Sequence, residues 1–161
     1  MSDRLLLDTP QQQARWIREV FCRQAERLAG DGYADVAFMV IGQGIETMGA
    51  FLDKKPFRAR GQSATRFARA LEEVFPPRYA RLNNRDFLFR NLRSSLTHLS
   101  IGSPHLVLLA EGETEQHLSV RNKRTVLVLG VLLRDYVAAW ERVIEKLVAG
   151  DVRVKPLAGA G

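Results

Sequence analysis

One stretch of the sequence, from Tyr33 to Leu52, is apolar on nearly every side of the helix that its spacing predicts. Its large apolar side chains are not confined to one stripe: they are Val36, Phe38, Met39, Val40, Ile41, Ile45, Met48 and Phe51. A helix of this kind must be surrounded by other elements, because any exposed face would leave apolar surface in water. Its Gly42, Gly44 and Gly49 indicate close approach of neighbouring helices, since each costs about 1 kcal/mol of helix propensity relative to alanine.

The rest of the 161-residue sequence predicts one mainly α domain built on this helix. A first helix starts at Pro10, capped by Asp8 or Thr9, and ends near Gly30. The apolar spacing and the breakers predict further elements, namely helices over about 64–75, 84–99 and 131–148 and strands over about 105–110, 117–120 and 125–129.

The expected architecture is a bundle of four to five helices with a small antiparallel hairpin or three-stranded sheet before the last helix. Residues 111–116 are expected to form the hairpin loop between the first two strands. The domain is expected to cover residues 8–148, with a flexible arm at 1–7 and a disordered, Gly-rich tail at 149–161.

Composition predicts a cytoplasmic protein with no membrane partner. No run of about 18 uncharged apolar residues occurs, and the apolar block near Met1 is too short for a signal peptide. The single Cys22 cannot form an intrachain disulfide, and no cluster with zinc spacing is present. Nucleotide-binding glycine motifs and serine-hydrolase elbows are also absent, so we expect neither a metal site nor a cofactor.

The positive charge of the chain is concentrated between Lys54 and Arg93, where eleven lysines and arginines face three acids. Such an excess is typical of a phosphate-binding surface, although arginines that simply solvate helix faces would give the same count. Four of these cations, Lys54, Lys55, Arg58 and Arg60, fall in the irregular segment 53–62 and are candidate phosphate-binding residues.

The helix predicted over about 84–99 carries the densest set of reactive groups. Its core stripe is Leu88, Leu92, Leu96 and Leu99. Off that stripe lie Arg90, Arg93, Ser94 and His98. An imidazole can take a proton from a ribose 2′-hydroxyl, and a guanidinium can hold the phosphate beside it, so Arg93 and His98 suffice for metal-free RNA cleavage. The alternative is structural: His98 satisfies the helix C-terminus and Arg93 pairs with an acid.

Glu46 is a lone acid within the apolar helix. It is either turned outward or held by a donor, because an unpaired buried carboxylate would protonate instead. The candidate partners are Arg90 and Arg93.

The pattern Phe89-Arg90-x2-Arg93-Ser94-x2-Thr97-His98, in the helix before a short sheet and a closing amphipathic helix, resembles the HEPN superfamily. The resemblance covers roughly residues 35–148 and implies a homodimeric, metal-independent endoribonuclease of toxin, antiviral or RNA-processing systems. It assigns catalysis to Arg93 and His98, with Arg90, Asn91, Ser94 and Glu46 in support. The implied partners are RNA or a nucleotide and a partner protein such as an antitoxin. Other HEPN-like proteins only bind a nucleotide, RNA or a protein, and this non-catalytic module is the alternative.

Overall fold

The computed structural model describes residues 7–96 and 102–156. Helix α1 (Pro10–Ile17) continues through a π-helical stretch (Arg18–Arg23) into α2 (Gln24–Gly30). The other helices are α3 (Ala34–Leu52), α4 (Ser63–Glu73), α5 (Pro77–Leu82), α6 (residues 87–96) and α7 (Leu129–Ala149). The strands are β1 (Leu106–Leu109), β2 (Val120–Arg121) and β3 (Arg124–Val128). The predicted mainly α fold, with a small sheet before the last helix, is confirmed.

The first predicted helix begins where its sequence indicates. Thr9 is the N-cap, and its hydroxyl accepts from the Gln12 amide while the Gln12 side chain accepts from the Thr9 amide. Pro10 occupies the first turn, where a missing amide hydrogen is not needed. Gly32, with φ +86°, then allows the tight turn into α3.

Helix α3 is central, as predicted, and packs against α2, α4, α6 and α7. It is long and apolar enough to cross a membrane by length and composition, but 61% of that stretch is buried inside the protein. The burial of Phe38, Ile41, Ile45 and Met48 in the main core accounts for this hydropathy.

The glycines of α3 mark close approaches, as the sequence predicts. A Cβ on Gly49 would lie 1.9 Å from the Arg66 carbonyl oxygen in α4, and one on Gly44 would lie 2.0 Å from the Tyr136 hydroxyl in α7. A Cβ on Gly42 would lie 3.2 Å from Arg93 Cα in α6. Three different helices therefore dock on α3 at positions where a side chain is missing.

The small sheet is mixed, and the expectation of an antiparallel sheet is corrected in this respect. Its strand order is β1-β3-β2, with β1 parallel to β3 and β2 antiparallel to β3. Residues 111–116 are not a hairpin loop, because β1 and β2 do not pair. They include a 3₁₀ turn (Thr114–Gln116) in the connection that leads from β1 to β2. The hairpin instead joins β2 to β3 through Asn122 and Lys123, whose positive φ angles of 50° and 61° suit a two-residue turn.

The chain does not leave the domain after α7. Gly150, with φ +80°, ends the helix, and residues 150–156 then run along the loop that follows α3. Lys155 is only 8% exposed. Where the sequence analysis expects a disordered tail at 149–161, residues 150–156 are part of the packed structure, and residues 157–161 lie outside the described part.

Candidate functional site

The predicted leucine stripe of α6 is confirmed over the described residues. Leu88, Leu92 and Leu96 are buried in the main core, while Leu99 lies outside the described residues. At the start of the helix, the Asn83 side chain accepts from the Phe89 amide, which satisfies one of the donors that a helix N-terminus leaves open. The middle of α6, Phe89–Ser94, is π-helical.

Arg93 forms an ion pair with Glu46 and is one of the two arginines predicted as its partner. Arg93 Nε donates to Glu46 Oε2 at 2.5 Å, and the two side chains are 15% and 19% exposed. The approach depends on Gly42, one helical turn before Glu46, because the Arg93 backbone lies against it. Glu46 therefore fixes the guanidinium at the crossing of α3 and α6.

The same arrangement of a glycine, an arginine and a carboxylate occurs seven residues further along α3. Gly49 faces the Arg66 backbone in α4, and Asp53, four residues later, accepts from Arg66 Nε at 2.7 Å. Each pair combines a glycine that admits an arginine backbone with a carboxylate that holds its guanidinium. Because the spacing is identical, the pairing of Arg93 also anchors a helix.

The other residues predicted to support Arg93 are divided between two environments. Arg90 is exposed, and its carbonyl accepts from the Ser95 hydroxyl at 2.9 Å, five residues on. Ser94 is half-buried. Asn91 is 9% exposed and accepts from the Ser103 hydroxyl at 2.5 Å. Asn91 thus fixes the segment before β1 from the buried side of α6.

His98, the predicted general base or acid, lies outside the described residues, as does Thr97 of the same motif. The predicted catalytic pair is therefore represented by Arg93 alone.

The basic loop after α3 forms a group separate from Arg93. Lys54, Lys55 and Arg58 line a cavity together with residues 150–156, and Arg60 lies on the same loop outside that lining. The Lys55 ammonium donates to the Gln62 side chain at 2.7 Å. Glu46 precedes Asp53 by seven residues, which is about 10 Å of helix. The predicted phosphate-binding loop, which follows the end of α3, and Arg93, which contacts α3 at Glu46, are thus separated along the helix axis.

Most cations of the middle third are exposed and without ion pairs. Of the eleven between Lys54 and Arg93, the pairs in the described part of the chain engage Arg66, Arg69, Arg78 and Arg93. The other seven are exposed; they are Lys54, Lys55, Arg58, Arg60, Arg81, Arg85 and Arg90. Arg85, with φ +53°, lies in the bend that leads into α6.

A buried ionic cluster that was not predicted from the sequence lies at the end of α3. Asp53 accepts from Arg66 and from Lys155 Nζ at 2.7 Å, and Lys155 also donates to the Ala50 carbonyl. Burial acts to raise the pKa of Asp53, but the hydrogen bonds from Arg66 and Lys155 outweigh it and lower the pKa. The alternation Val-Arg-Val-Lys over 152–155 indicates an extended segment whose valines share one face, but it places Lys155 on the opposite face and so does not signal the burial of its ammonium.

A second buried polar group, a chain of hydrogen-bonded side chains that joins the sheet to the helices, was not predicted from the sequence either. His117 Nδ1 accepts from the Val128 amide at 3.0 Å, so Nε2 carries the proton and donates to the Tyr79 hydroxyl at 2.8 Å. Tyr79 in turn donates to Asp135 Oδ2 at 2.7 Å. Burial lowers the pKa of His117 to about 4, and Arg78 acts in the same direction.

Comparison with protein-family models, with curated proteins and with solved structures gave no significant match. Within the described residues, no group of three or more His, Cys, Asp or Glu side chains is placed to hold a metal ion.

Proposed function

We propose that this chain is a cytoplasmic, homodimeric HEPN-like RNA-binding protein that contacts RNA phosphates through its middle third. The observation that carries the proposal is the set of seven exposed cations between Lys54 and Arg90 that have no ion pair within residues 7–96 and 102–156. An arginine on a helix face can be neutralised by an acid one turn away, as Arg69 is by Glu73, whereas these seven cations have no such ion pair in the described part of the chain. Cations without an ion-pair partner can replace the counterions of a nucleic acid.

Within this proposal, Arg93 and His98 cleave the bound RNA without a metal. Glu46 holds Arg93 Nε, which supports the proposal because a guanidinium fixed at one nitrogen presents its remaining N–H groups in a defined direction. His98 would abstract the 2′-hydroxyl proton, and the 2′-oxygen would attack the adjacent phosphorus. The bond from phosphorus to the 5′-oxygen would break as that oxygen takes a proton from protonated His98 or from water. The products are a 2′,3′-cyclic phosphate and a 5′-hydroxyl.

The non-catalytic module is the second candidate, and one observation favours it. Arg93 is paired in the same way as Arg66, whose partners Asp53, Pro56 and Phe57 keep its guanidinium inside the protein. If anchoring is the whole function of Arg93, the basic face binds RNA or a nucleotide and releases it unchanged.

The binding proposal is tested with a charge-matched pair of triple variants. We expect alanine at Arg60, Arg81 and Arg90 to weaken binding to single-stranded RNA, measured by fluorescence anisotropy from 50 to 300 mM salt. Each lost phosphate contact lowers the slope of log Kd against log salt by about 0.7. The control carries alanine at Arg15, Arg23 and Arg27, which changes the net charge equally outside the middle third. Equal affinities and slopes for the two triple variants would overturn the proposal.

The catalytic step has its own test, carried out in EDTA. We expect cyclic-phosphate ends from the wild-type protein and no product from His98→Ala or from a substrate with a 2′-deoxy group at the cleaved position. Arg93→Ala breaks the ion pair and leaves Glu46 half-buried without its partner, which can destabilise the fold. Glu46→Gln breaks the same ion pair but keeps Arg93, so it serves as the stability control. Salt-sensitive binding with no products from any of these proteins would assign the chain to the non-catalytic module.

A further inference from the structure

A cavity of about 770 Å³ lies between the loop after α3 and the segment after α7. One wall is formed by residues 52–58 and the other by residues 150–156. The size falls in the range of about 300–1,000 Å³ that is typical of sites for small organic molecules.

Both walls are fixed from behind by buried bonds. Lys155 joins them, because its ammonium donates to Asp53 and to the Ala50 carbonyl. Its own carbonyl accepts from Gln13 Nε2 at 2.8 Å, which ties the segment to α1. Arg66 reaches the other side of the loop and donates to the carbonyls of Pro56 and Phe57. The cavity is therefore preformed, so a ligand would not have to order its walls.

The charge of the lining favours an anion. Five cationic side chains face two carboxylates, and Asp53, one of the two, is already held by Arg66 and Lys155. Helices α3 and α7 both end at the cavity, and each helix C-terminus contributes about half a negative charge. Lys155 bonds a terminal carbonyl of α3 and offsets part of that charge. Lys54, Arg58 and Arg153 remain as exposed cations of the lining without ion pairs in the described residues.

The rest of the lining is apolar. Leu52, Phe57, Val152 and Val154 all contribute, together with Pro56 and Pro156. The Phe57 ring is held by edge contact with Phe51, at 4.9 Å between ring centroids. A ligand that fills the cavity would therefore bury an apolar or aromatic portion beside its charged group.

We infer that this cavity binds a small organic phosphate, with the phosphate at Arg58 and Arg153 and the apolar portion against Phe57 and Val154. The inference goes beyond the proposed RNA binding, because it assigns Arg153 and the 150–156 segment, which the RNA proposal does not use. A mononucleotide and a phosphate monoester of another aromatic or aliphatic alcohol share this chemistry.

The test is titration calorimetry of the full chain with phenyl phosphate, hexyl phosphate and adenosine monophosphate, each beside its neutral alcohol or nucleoside. We expect at least one phosphate to bind with a Kd below its neutral counterpart. Arg153→Ala and Arg58→Ala should each weaken that binding roughly tenfold, since each removes a charged hydrogen bond. Arg60→Ala is the matched control, because Arg60 lies on the same loop outside the cavity lining, and it should leave the Kd unchanged.

The pattern among the three probes identifies the source of the phosphate. Preference for adenosine monophosphate indicates a nucleotide, and equal binding of all three indicates phosphate monoesters in general. Absence of binding at millimolar concentration, or equal weakening by Arg153→Ala and Arg60→Ala, would overturn the inference. The RNA affinity of Arg153→Ala is measured in parallel and should equal that of the wild type. Failure of the cavity inference can therefore be distinguished from failure of the RNA-binding proposal.

Discussion

At the scale of single residues, several buried polar side chains of this protein are connected to one another by hydrogen bonds. His117 is 4% exposed and has a defined tautomer, because the Val128 amide occupies Nδ1. Its other nitrogen faces Tyr79, which faces Asp135, and Asp135 meets Arg78 and Arg134 near the surface. A proton added to Nδ1 would displace the Val128 bond and place a third positive charge beside those of the two arginines.

This arrangement predicts a loss of stability in mild acid. The folded protein holds the pKa of His117 at about 4, whereas the unfolded chain has the ordinary value of 6.5. Between these values the unfolded state binds more protons, so the contribution of His117 is complete above pH 6.5 and falls as the pH drops toward 4. We expect about 3 kcal/mol of unfolding free energy to be lost across this window.

The measurement is urea unfolding of the wild type and His117→Gln at intervals between pH 7 and pH 4. The variant should be less stable at pH 7 but should have a flatter pH profile. His105→Gln, at an exposed histidine, should reproduce the wild-type slope. A variant profile as steep as that of the wild type would contradict the assignment to His117.

At the scale of elements, helix α3 organises the molecule through its missing side chains. The face that carries Gly42 and Gly49 receives α6 and α4, and the carboxylate four residues after each glycine holds the arriving arginine. The cost of each glycine in helix propensity is thus offset by one close helix contact and one ion pair.

Alanine at Gly49 should be strongly destabilising. The new methyl group would meet the Arg66 backbone carbonyl at 1.9 Å, and a backbone atom cannot rotate away as a side chain can. We expect a loss of about 3 kcal/mol in unfolding free energy, measured by urea denaturation. Gly130→Ala in α7 is the control, because nothing lies within 4 Å of its Cβ position, and it should gain about 0.5 kcal/mol. Equal stability of the two variants would rule out the close packing of α3 on α4.

Much of this element structure could be predicted from the sequence, because local signals carry it. Helix α1 follows from Thr9 and Pro10, and the central position of α3 follows from its uninterrupted hydropathy. The partner of Glu46 could be narrowed to two arginines, because a buried acid needs a donor. The parallel pairing of β1 with β3 could not be predicted, since it depends on the path of residues 110–119 and not on any alternation within the strands.

The candidate site was harder to predict, because it also depends on the path of the chain between residues that are far apart in the sequence. The cations of the loop after α3 were recognisable from charge alone, and their exposure agrees with that interpretation. Their neighbours from residues 150–156 are about a hundred positions away in the sequence. Lys155 carries no local sign that its ammonium is buried, because only the folded chain brings Asp53 and the Ala50 carbonyl to it.

At the scale of the whole molecule, Lys155 joins the chain that follows the last helix to the core. Burial lowers the pKa of its ammonium, and the bond to Asp53 opposes that change. Asp53 keeps Arg66 if Lys155 is lost, but the Ala50 carbonyl and the Asp53 Oδ1 atom each lose a donor.

We expect Lys155→Met to lower the unfolding free energy by about 2 kcal/mol, because it removes two bonds to partly buried acceptors. The neighbouring Arg153→Met is exposed and should change the unfolding free energy by less than about 0.5 kcal/mol. Both values come from urea denaturation at pH 7. A loss for Arg153→Met equal to that for Lys155→Met would mean that the segment is held by something other than the buried ammonium.

The bond between Lys155 and Asp53 spans 102 residues, and this separation sets the order in which the protein can be completed during translation. A ribosome releases Asp53 and Arg66 long before it has made Lys155, so these two, 13 residues apart, can pair first. The hydrogen bond from Lys155 to the Ala50 carbonyl can form only after residues 150–156 have been synthesised. A nascent chain paused within α7 would therefore carry the helices and the sheet strands while one wall of the cavity had yet to be synthesised.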